Sequence, residues 1–352
     1  MPSKKYYYVT GNTAEGFINL LPTNLEGIHQ IIVLNHPSHT IKTTILKEII
    51  KTCESDYTIE ILLSALDDKY LDGVIIRSKS IAIITDEIDL PELYGALELD
   101  LSLFIKERSP DNKNRNKVRE DVVEFTEAAY NNFKSGLKIH DNLESIYIKE
   151  MDFQKADRIT AEFIEELLHS VQKKDRKSHV RHRMFGTNTA RGIVNVVPQL
   201  IKSTSKAYFI KGRAGTGKST FMKKIKDACE YLGFDVDLYY CSFDPNSIDM
   251  VLVPELDFCI FDSTDPHEFY PERAEDIIID LYEETVTPGT DEKYNKEISE
   301  LNNNYKSYMR KGLENLKTAG EHLETIELTY TINKEETADI VDFIIKSFLS
   351  EQ

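Results

Sequence analysis

The sequence predicts an α/β protein made of two tandem copies of one three-layer αβα domain, each copy carrying a helical insertion. Three observations predict this. Apolar β-prone runs alternate with helix-prone runs, the same order of elements occurs twice, and a glycine-rich segment connects a strand to a helix in the second copy. Because helices that connect parallel strands cover the faces of a sheet, we expect parallel sheets with helices on both faces.

The internal repeat fixes the predicted domain organisation. The segment NTAEG at 12–16 recurs as NTARG at 188–192, an offset of 176 residues. Without any gap, 12 of the 42 residues from Asn12 to Cys53 are identical to their counterparts at that offset. A repeat of this length indicates a tandem duplication. We predict one domain over residues 1–170, a basic linker over 171–185 and a second domain over 186–352, with the two copies forming an intramolecular pseudo-dimer.

Each copy contains the same series of predicted elements. The first copy has strands at 6–10, 30–34, 58–63, 73–76 and 81–84, helices at 42–53 and 156–168, and a long charged helical stretch at 113–143. The second copy has strands at 207–210, 235–242, 250–253 and 258–261, helices at 219–232 and 335–349, and a long helical stretch at 291–323. Each long stretch has one apolar stripe and is either a solvated helical hairpin or a lid over a nucleotide.

The glycine-rich segment YFIKGRAGTGKST contains G-x-x-x-x-G-K-[ST] between a predicted strand and a predicted helix. Glycine permits backbone angles that let successive N–H groups surround a phosphate, and the following helix presents its positive end. Lys218 is expected to reach the β- and γ-phosphates, and the Ser219 hydroxyl to bind Mg²⁺. The predicted nucleotide-binding residues are Gly212, Arg213, Ala214, Gly215, Thr216, Gly217, Lys218, Ser219 and Thr220.

The equivalent loop of the first copy, NHPSHTIKTT, lacks these glycines. His36, His39 and Ile41 stand at the glycine positions, and Pro37 has no N–H to donate. A β-branched residue such as Ile41 does not readily adopt angles that glycine allows. The first copy is therefore predicted to bind nucleotide weakly or not at all and to have a structural or regulatory role.

Acidic residues at the ends of strands are candidates for the metal and for catalysis. Asp262 follows the apolar run FCIF and is predicted to bind Mg²⁺ through a water molecule, with a helix cap or turn as the alternative. No glutamate follows it, so the catalytic group stays open among Asp244, Asp265, His267 and Glu268, each of which also fits a turn or cap. Asp244 is the residue that an acceptor-activating acid would occupy in a small-molecule kinase.

Basic residues add less to the prediction. Arg213, Arg191 and Arg273 either neutralise phosphate charge or form ordinary surface salt bridges. The basic run at 173–183 either connects the domains, pairs with the acidic helices, or binds phosphate or RNA. The net charge of −17 argues against an open nucleic-acid surface.

Composition also indicates a soluble cytoplasmic protein. The four cysteines have no metal-binding spacing and lie in apolar surroundings, as reduced core cysteines do. The first residues lack the apolar run of a signal peptide, and no apolar run approaches the roughly 20 residues that a membrane-spanning helix needs.

Together, the doubled N-T-A-x-G segment, the GRAGTGKST loop, LVPEL at 252–256 and DSTDPH at 262–267 resemble a bacterial family of tandem P-loop proteins. That family is usually labelled ATPase or nucleotide-kinase-like, and its substrate is not established. The resemblance covers nearly the whole chain and implies a glycine-rich loop in both halves, from which His36, His39 and Ile41 depart. It also implies a possible functional position at Pro266 and His267, and a preference for ATP over GTP.

These observations predict an ATP- or GTP-binding protein that hydrolyses the nucleotide with Mg²⁺ at the second loop. Lys218, Asp244 and His267 are the candidate catalytic residues, and Ser219 and Asp262 are the candidate metal ligands. One alternative is a kinase that transfers phosphate to a small molecule or nucleotide. The other is an interaction protein whose binding of an unknown protein partner is controlled by nucleotide, with little turnover.

Overall fold

The structure, a computed structural model, describes residues 2–91, 93, 95–106 and 112–349. Its centre is one twelve-stranded sheet to which each half contributes six strands. The first half supplies β1 (Lys4–Tyr8), β4 (Gln30–Asn35), β5 (Ile59–Leu63), β6 (Leu71–Ile76), β7 (Ile81–Thr85) and β8 (Leu97–Asp100). The second supplies β9 (Val180–Met184), β12 (Lys206–Lys211), β13 (Val236–Tyr240), β14 (Ile248–Val253), β15 (Phe258–Asp262) and β16 (Ile277–Asp280).

The strand order is the same in both halves. It runs β1-β5-β6-β7-β4-β8 in the first half and β9-β13-β14-β15-β12-β16 in the second. The halves join edge to edge where β1 and β9 pair antiparallel at Tyr8 and Met184. Two hairpins lie outside the sheet: β2 (Thr10–Thr13) with β3 (Gly16–Asn19), and β10 (Gly186–Thr189) with β11 (Gly192–Asn195). The repeated N-T-A-x-G segments form their turns.

The sheet is mixed, so the expectation of parallel sheets is wrong. In each half the third strand runs antiparallel to both of its neighbours, β6 between β5 and β7, and β14 between β13 and β15. The chain segments between these strands are short, and a short 3₁₀ turn over Arg77–Lys79 connects β6 to β7. A parallel crossover needs a dozen or more residues, so these connections permit only antiparallel pairing.

Ten α-helices accompany the strands in the described part of the chain. They are α1 (Leu21–Asn24), α2 (His39–Cys53), α3 (Asn112–Lys149), α4 (Phe153–Leu168), α5 (Val197–Lys202), α6 (Lys218–Tyr231), α7 (Leu281–Thr285), α8 (Thr290–Lys293), α9 (Asn295–Glu327) and α10 (Lys334–Ile344). A π-helical turn over Ile345–Leu349 follows α10. None of the described helices is both long and apolar enough to span a bilayer.

The two long predicted helical stretches, α3 and α9, pack against each other in opposite directions. The Phe125 ring stacks on His322, whereas Leu143 lies near Ile298. At the crossing Gly312 faces the Phe133 ring so closely that a Cβ there would lie 2.2 Å from it. Each half thus contributes one helix to a shared pair.

The helices that close the two sequence repeats are exchanged between the halves. Leu168 of α4 packs in the core of the second half with Phe221 and Ile225. In the opposite sense, Ile340 and Ile344 of α10 pack in the core of the first half. The packing units therefore differ from the stretches 1–170 and 186–352, because each half is covered by a helix from the other repeat.

The basic run is not an isolated linker, as its last residues form β9 in the middle of the sheet. Arg183 is 3% exposed, and its guanidinium donates to Asp237 (2.7 Å) and to Glu60 (3.2 Å) of the other half. Arg176 pairs with Glu255 and Asp235 rather than with the long helices. These ion pairs bind the run to the sheet.

Candidate functional site

The glycine-rich loop of the second half connects β12 to α6, as predicted. Gly215 and Gly217 have φ values of +72° and +78°, angles that residues with a Cβ rarely adopt. The Thr216 hydroxyl fixes the loop internally, because it accepts from the Arg213 N–H (3.2 Å) and donates to the Arg213 carbonyl (2.9 Å). A Cβ at Gly212 would lie 2.5 Å from that hydroxyl, so the close turn requires glycine.

The first turn of α6 leaves its backbone donors available. The helix begins at Lys218, and no side chain caps it. The first N–H groups of an α-helix have no partner within the helix, so those of Lys218, Ser219 and Thr220 can bind an anion. The loop and the helix end together form a cradle of donors at the carboxyl end of β12.

The predicted phosphate and metal side chains meet at this cradle. The Lys218 ammonium donates to the Arg213 carbonyl (2.7 Å) and lies 3.5 Å from Oδ2 of Asp262. Oδ1 of Asp262 accepts from the Thr264 hydroxyl (2.6 Å). Ser219 Oγ accepts from the Ile248 N–H (2.8 Å), which holds the hydroxyl beside β14. Hydroxyl and carboxylate oxygens are ligands that Mg²⁺ prefers, so Ser219 and Asp262 fit that ion.

The loop opens into a cavity of about 1510 Å³, much of whose wall comes from helices α3 and α9. Two α3 residues that the sequence did not single out line the cavity beside the cradle. The Glu144 backbone packs against Gly215, where an added Cβ would lie 2.7 Å from the Glu144 carbonyl oxygen, and burial, followed by Asp141, raises the pKa of Glu144. Burial and the nearby Lys218 lower the pKa of His140. The site of the second half is therefore completed by a helix from the first repeat, a long-range contact that no local pattern encodes.

The equivalent loop of the first half has a different conformation. Helix α2 begins at His39, whereas α6 begins at Lys218, which corresponds to Lys42; the first half thus winds three loop residues into its helix. None of the described residues of this loop has a positive φ. The helix is capped, since the Ser38 hydroxyl accepts from the Ile41 N–H (3.2 Å). Replacement of the glycines has converted the cradle into an ordinary helix start.

A carboxylate of the protein itself occupies this helix start. Glu327, the last residue of α9, is 5% exposed. It accepts hydrogen bonds from the Ser38 hydroxyl (2.8 Å), the His39 N–H (3.0 Å) and the Thr40 N–H (2.9 Å). Although burial opposes its ionisation, the hydrogen bonds from Thr40 hold the pKa of Glu327 below its usual value. An internal anion thus binds where a phosphate would bind in the second half.

The second half has no such carboxylate at the corresponding position. Leu143–Ile146 of α3 and Leu323–Ile326 of α9 have nearly the same sequence, LESI and LETI. When the two helices are aligned on these segments, Tyr147 takes the position of Glu327. The Tyr147 hydroxyl donates to Asp291 (2.9 Å), away from the cradle N–H groups. The residue that follows this repeated segment therefore distinguishes the two sites: Glu327 fills the anion site of the first half, and Tyr147 leaves that of the second half open.

The two equivalent lysines also differ in their surroundings. Lys42 is 1% exposed and pairs with both Asp86 and Glu87, so its charge is neutralised internally. Lys218 is 12% exposed and faces one carboxylate. The sequence left open whether Thr85 corresponds to Asp262 or the acid is shifted by one residue. In the structure Thr85 ends β7 as Asp262 ends β15, and Asp86, the next residue, contacts Lys42.

The other predicted catalytic residues line the same cavity. Asp244 begins a turn in which its Oδ1 accepts from the Asn246 N–H (3.0 Å). His267 is 5% exposed and packs edge-on against Phe185. Burial lowers the pKa of His267 to about 4, so its imidazole is neutral near pH 7. Asp265 pairs with Lys306 (2.9 Å).

Glu268 and the three candidate arginines form salt bridges. For the arginines, this is the alternative to neutralising phosphate charge. Glu268 pairs with Lys211 at 3.1 Å. Arg213 binds Asp291 (3.0 Å), Arg191 binds Asp67 and Asp68, and Arg273 binds Asp276 (2.7 Å). Of these arginines, Arg213 lines the cavity.

A further acid that the sequence reasoning missed lies in the cavity wall. Asp249, on β14, is 6% exposed. The signal was present in the sequence, because an aspartate interrupts the same apolar strand in both halves, at Asp72 and Asp249. A buried acid in an apolar strand of both copies is unusual enough to mark a site.

Compared with models of protein families, with curated proteins and with solved structures, the chain matches none of them.

Proposed function

We propose that this chain is an ATPase with one working site. Both halves are P-loop-type domains, ATP binds with Mg²⁺ at Gly212–Thr220 of the second half, and the γ-phosphate is hydrolysed there. The first half keeps the architecture but has a structural role.

The contrast between the two loops carries this proposal. The same helix start is open to anions in the second half, and in the first half it is filled by Glu327. A carboxylate that accepts from two backbone N–H groups at a helix start occupies the place that a phosphate would take. The first loop is therefore closed to nucleotide by its own chain, whereas no side chain caps the start of α6 in the second half.

The residues of the second loop have distinct roles in binding. The N–H groups from Gly215 to Thr220 surround phosphate oxygens, and Lys218 neutralises part of their charge. Ser219 and Asp262 hold Mg²⁺, which when bound offsets the negative charge of the phosphates. The backbone of Glu144 lies directly against Gly215, so helix α3 closes one side of this phosphate site.

The water that attacks the phosphate needs a group to orient it. Asp244 and His267 both line the cavity, and the neutral imidazole of His267 can accept a proton. Glu144 is a third such group, since it lies over the loop from α3. Each of these residues could orient the attacking water, and all three line the cavity.

Phosphoryl transfer to an acceptor is a second candidate, and the size of the cavity favours it. A volume of about 1510 Å³ exceeds the roughly 300–1,000 Å³ of common small-molecule sites, so a second substrate could lie beside the nucleotide. Asp244 would then accept the proton of the acceptor hydroxyl. An acceptor-dependent rise in ADP release that Asp244→Ala abolishes would distinguish transfer from hydrolysis.

The test of the proposed function measures binding of Mg-ATP by calorimetry and release of ADP for wild type, Lys218→Met and Lys42→Met. Methionine keeps the aliphatic length of lysine and removes the charge, so the two variants form a matched pair. We expect one binding site in wild type, none in Lys218→Met and one in Lys42→Met. Two sites in wild type, or loss of binding in Lys42→Met alone, would contradict the proposal.

A further inference from the structure

Two buried or half-buried acids lie beside each other on strands β14 and β15. These strands pair antiparallel up to Met250 opposite Phe261, and Asp249 and Asp262 are the next residues of the two strands, where β14 has a bulge in its register with β13. Neighbouring strands lie about 4.7–4.9 Å apart, so these two residues are near each other. Both side chains line the cavity beside the glycine-rich loop. Two carboxylates therefore share one small region.

The first half has the same strand pair without this acid pair. There Asp72 and Thr85 are the residues that follow the pair of Gly73 with Ile84 at the ends of the two strands. The Asp72 carboxylate accepts from the Thr10 hydroxyl (2.7 Å), and although burial raises its pKa, Thr10 and Ser64 both act to lower it. It is thus a satisfied buried acid, and it provides an internal reference for Asp249.

Asp249 lacks the hydroxyl donors that satisfy Asp72. In the second half, Gly186 stands at the position of Thr10 and Cys241 at that of Ser64. Burial raises the pKa of Asp249, and within the described ranges the nearby Cys241 thiol, a weak donor, is the neutral group that acts to lower it. A side chain that is 6% exposed and lines the cavity is left without an N–H or O–H donor from the described residues. A buried acid in this state calls for a ligand.

The local charge balance points to a cation. Lys218 is the base that contacts Asp262, so one ammonium faces two acids. Four other bases of the cavity wall already pair with other acids, Lys211 with Glu268, Arg213 with Asp291, Lys224 with Asp157 and Lys306 with Asp265, whereas a fifth, the exposed Arg310, has no ion pair among the described residues. Burial, followed by the charge of Asp262, raises the pKa of Asp249 to about 8.

We propose that Asp249, Asp262 and the Ser219 hydroxyl form a divalent-cation site of the Mg²⁺ class that fills before nucleotide arrives. Three oxygen ligands of this kind suit a hard divalent ion, which keeps water at its other positions. The ion replaces the proton that Asp249 otherwise holds beside Asp262, and it prepares the cavity for a polyphosphate. The proposal rests on the proposed function for the order of binding, whereas cation binding itself can be measured without nucleotide.

The experiment titrates the nucleotide-free full-length chain with Mn²⁺ at neutral pH and follows the free ion by electron paramagnetic resonance. Wild type is compared with Asp249→Asn, Asp262→Asn and the matched control Asp72→Asn. We expect one Mn²⁺ per chain in wild type and in Asp72→Asn, competed by Mg²⁺. Affinity should fall at least about tenfold in Asp249→Asn and Asp262→Asn.

Thermal unfolding with and without Mn²⁺ shows whether each variant is folded. The apparent midpoint of wild type and of Asp72→Asn should rise with the ion, and that of Asp249→Asn should not. Equal Mn²⁺ affinity in Asp249→Asn and wild type would overturn the inference, as would a wild type that binds Mn²⁺ only with ATP. Mn²⁺ binding that depends on Asp249 in a chain that never binds ATP would support the cation site and contradict the proposed function instead.

Discussion

Replacing Glu327 by glutamine is the sharpest test of the filled first loop. Glutamine has nearly the same shape as glutamate and loses the negative charge that faces the start of α2. We expect Glu327→Gln to lower the free energy of unfolding at pH 7 by about 2–4 kcal/mol.

This magnitude follows from the bonds that one carboxylate makes. Oε2 accepts from the Ser38 hydroxyl and the Thr40 N–H, and Oε1 accepts from the His39 N–H. Glutamine retains one accepting oxygen, so at least the His39 N–H loses its partner, which costs about 1.5–3 kcal/mol for a bond to a charged group. Loss of the charge at the helix start adds about 0.3–1 kcal/mol.

The pH dependence gives a second readout. The pKa of Glu327 is lower in the folded protein than the usual value near 4.3, so this carboxylate stabilises the fold above that pH. Its contribution is lost as the pH falls from about 4.3 through the lower folded pKa. The difference in stability between wild type and Glu327→Gln should therefore be full at pH 7 and shrink in acid.

The assay is urea unfolding followed by circular dichroism, with Glu324→Gln as the matched control. Glu324 lies one turn earlier on α9, is 55% exposed at its side chain and pairs with Lys69. An exposed pair of this kind contributes about 0–1 kcal/mol, so the control should stay close to wild type. Equal loss of stability in the two variants, or none in either, would refute the reasoning about Glu327.

Three further predictions concern the loop, the junction of the halves and the helix pair. Gly215→Ala should abolish ATP binding in calorimetry and destabilise the chain more than Gly289→Ala, because both glycines have positive φ but a Cβ at Gly215 would lie 2.7 Å from a backbone oxygen; equal effects would contradict this. Glu60→Gln should cost about 3–5 kcal/mol in urea unfolding, since it breaks a buried pair with Arg183. Burial opposes ionisation of Glu60, but the charge of Arg183, followed by the hydrogen bond and charge of Arg77, lowers its pKa to about 2, so this contribution should fade between about pH 4.3 and pH 2, and a flat profile would count against it. Gly312→Ala should overpack against the Phe133 ring at a cost of about 1–3 kcal/mol, which would lower the apparent melting midpoint. An unchanged midpoint would argue against the observed crossing of α3 and α9.

Several elements could be predicted because their signals are local. The glycine-rich loop, the strand before it and the helix after it follow from residue types within one short segment, and the strand that ends at Asp262 follows from its apolar run. The loss of the cradle in the first half could also be predicted, because Ile41 does not favour the backbone angles that Gly217 adopts. The nucleotide, the metal and the reaction stay predictions.

The residues that distinguish the two sites are brought together only by tertiary structure. Glu327 lies 289 residues from Ser38 along the chain, and helical periodicity does not say which loop a helix end will meet. Tertiary structure likewise brings Glu144 against Gly215, exchanges α4 and α10 between the halves, and brings Asp249 beside Asp262. Each depends on strand register or on packing between distant segments.

The amino-acid sequence by itself determined that this chain is a duplicated α/β protein with one intact glycine-rich loop, because periodicity, repeats and glycine positions act over a few residues. Tertiary structure decided that the two halves share one mixed sheet and exchange helices, and that their equivalent loops have different conformations and partners. The physical reason is that burial and hydrogen bonding between distant segments, rather than local propensity, select which carboxylate meets which helix start.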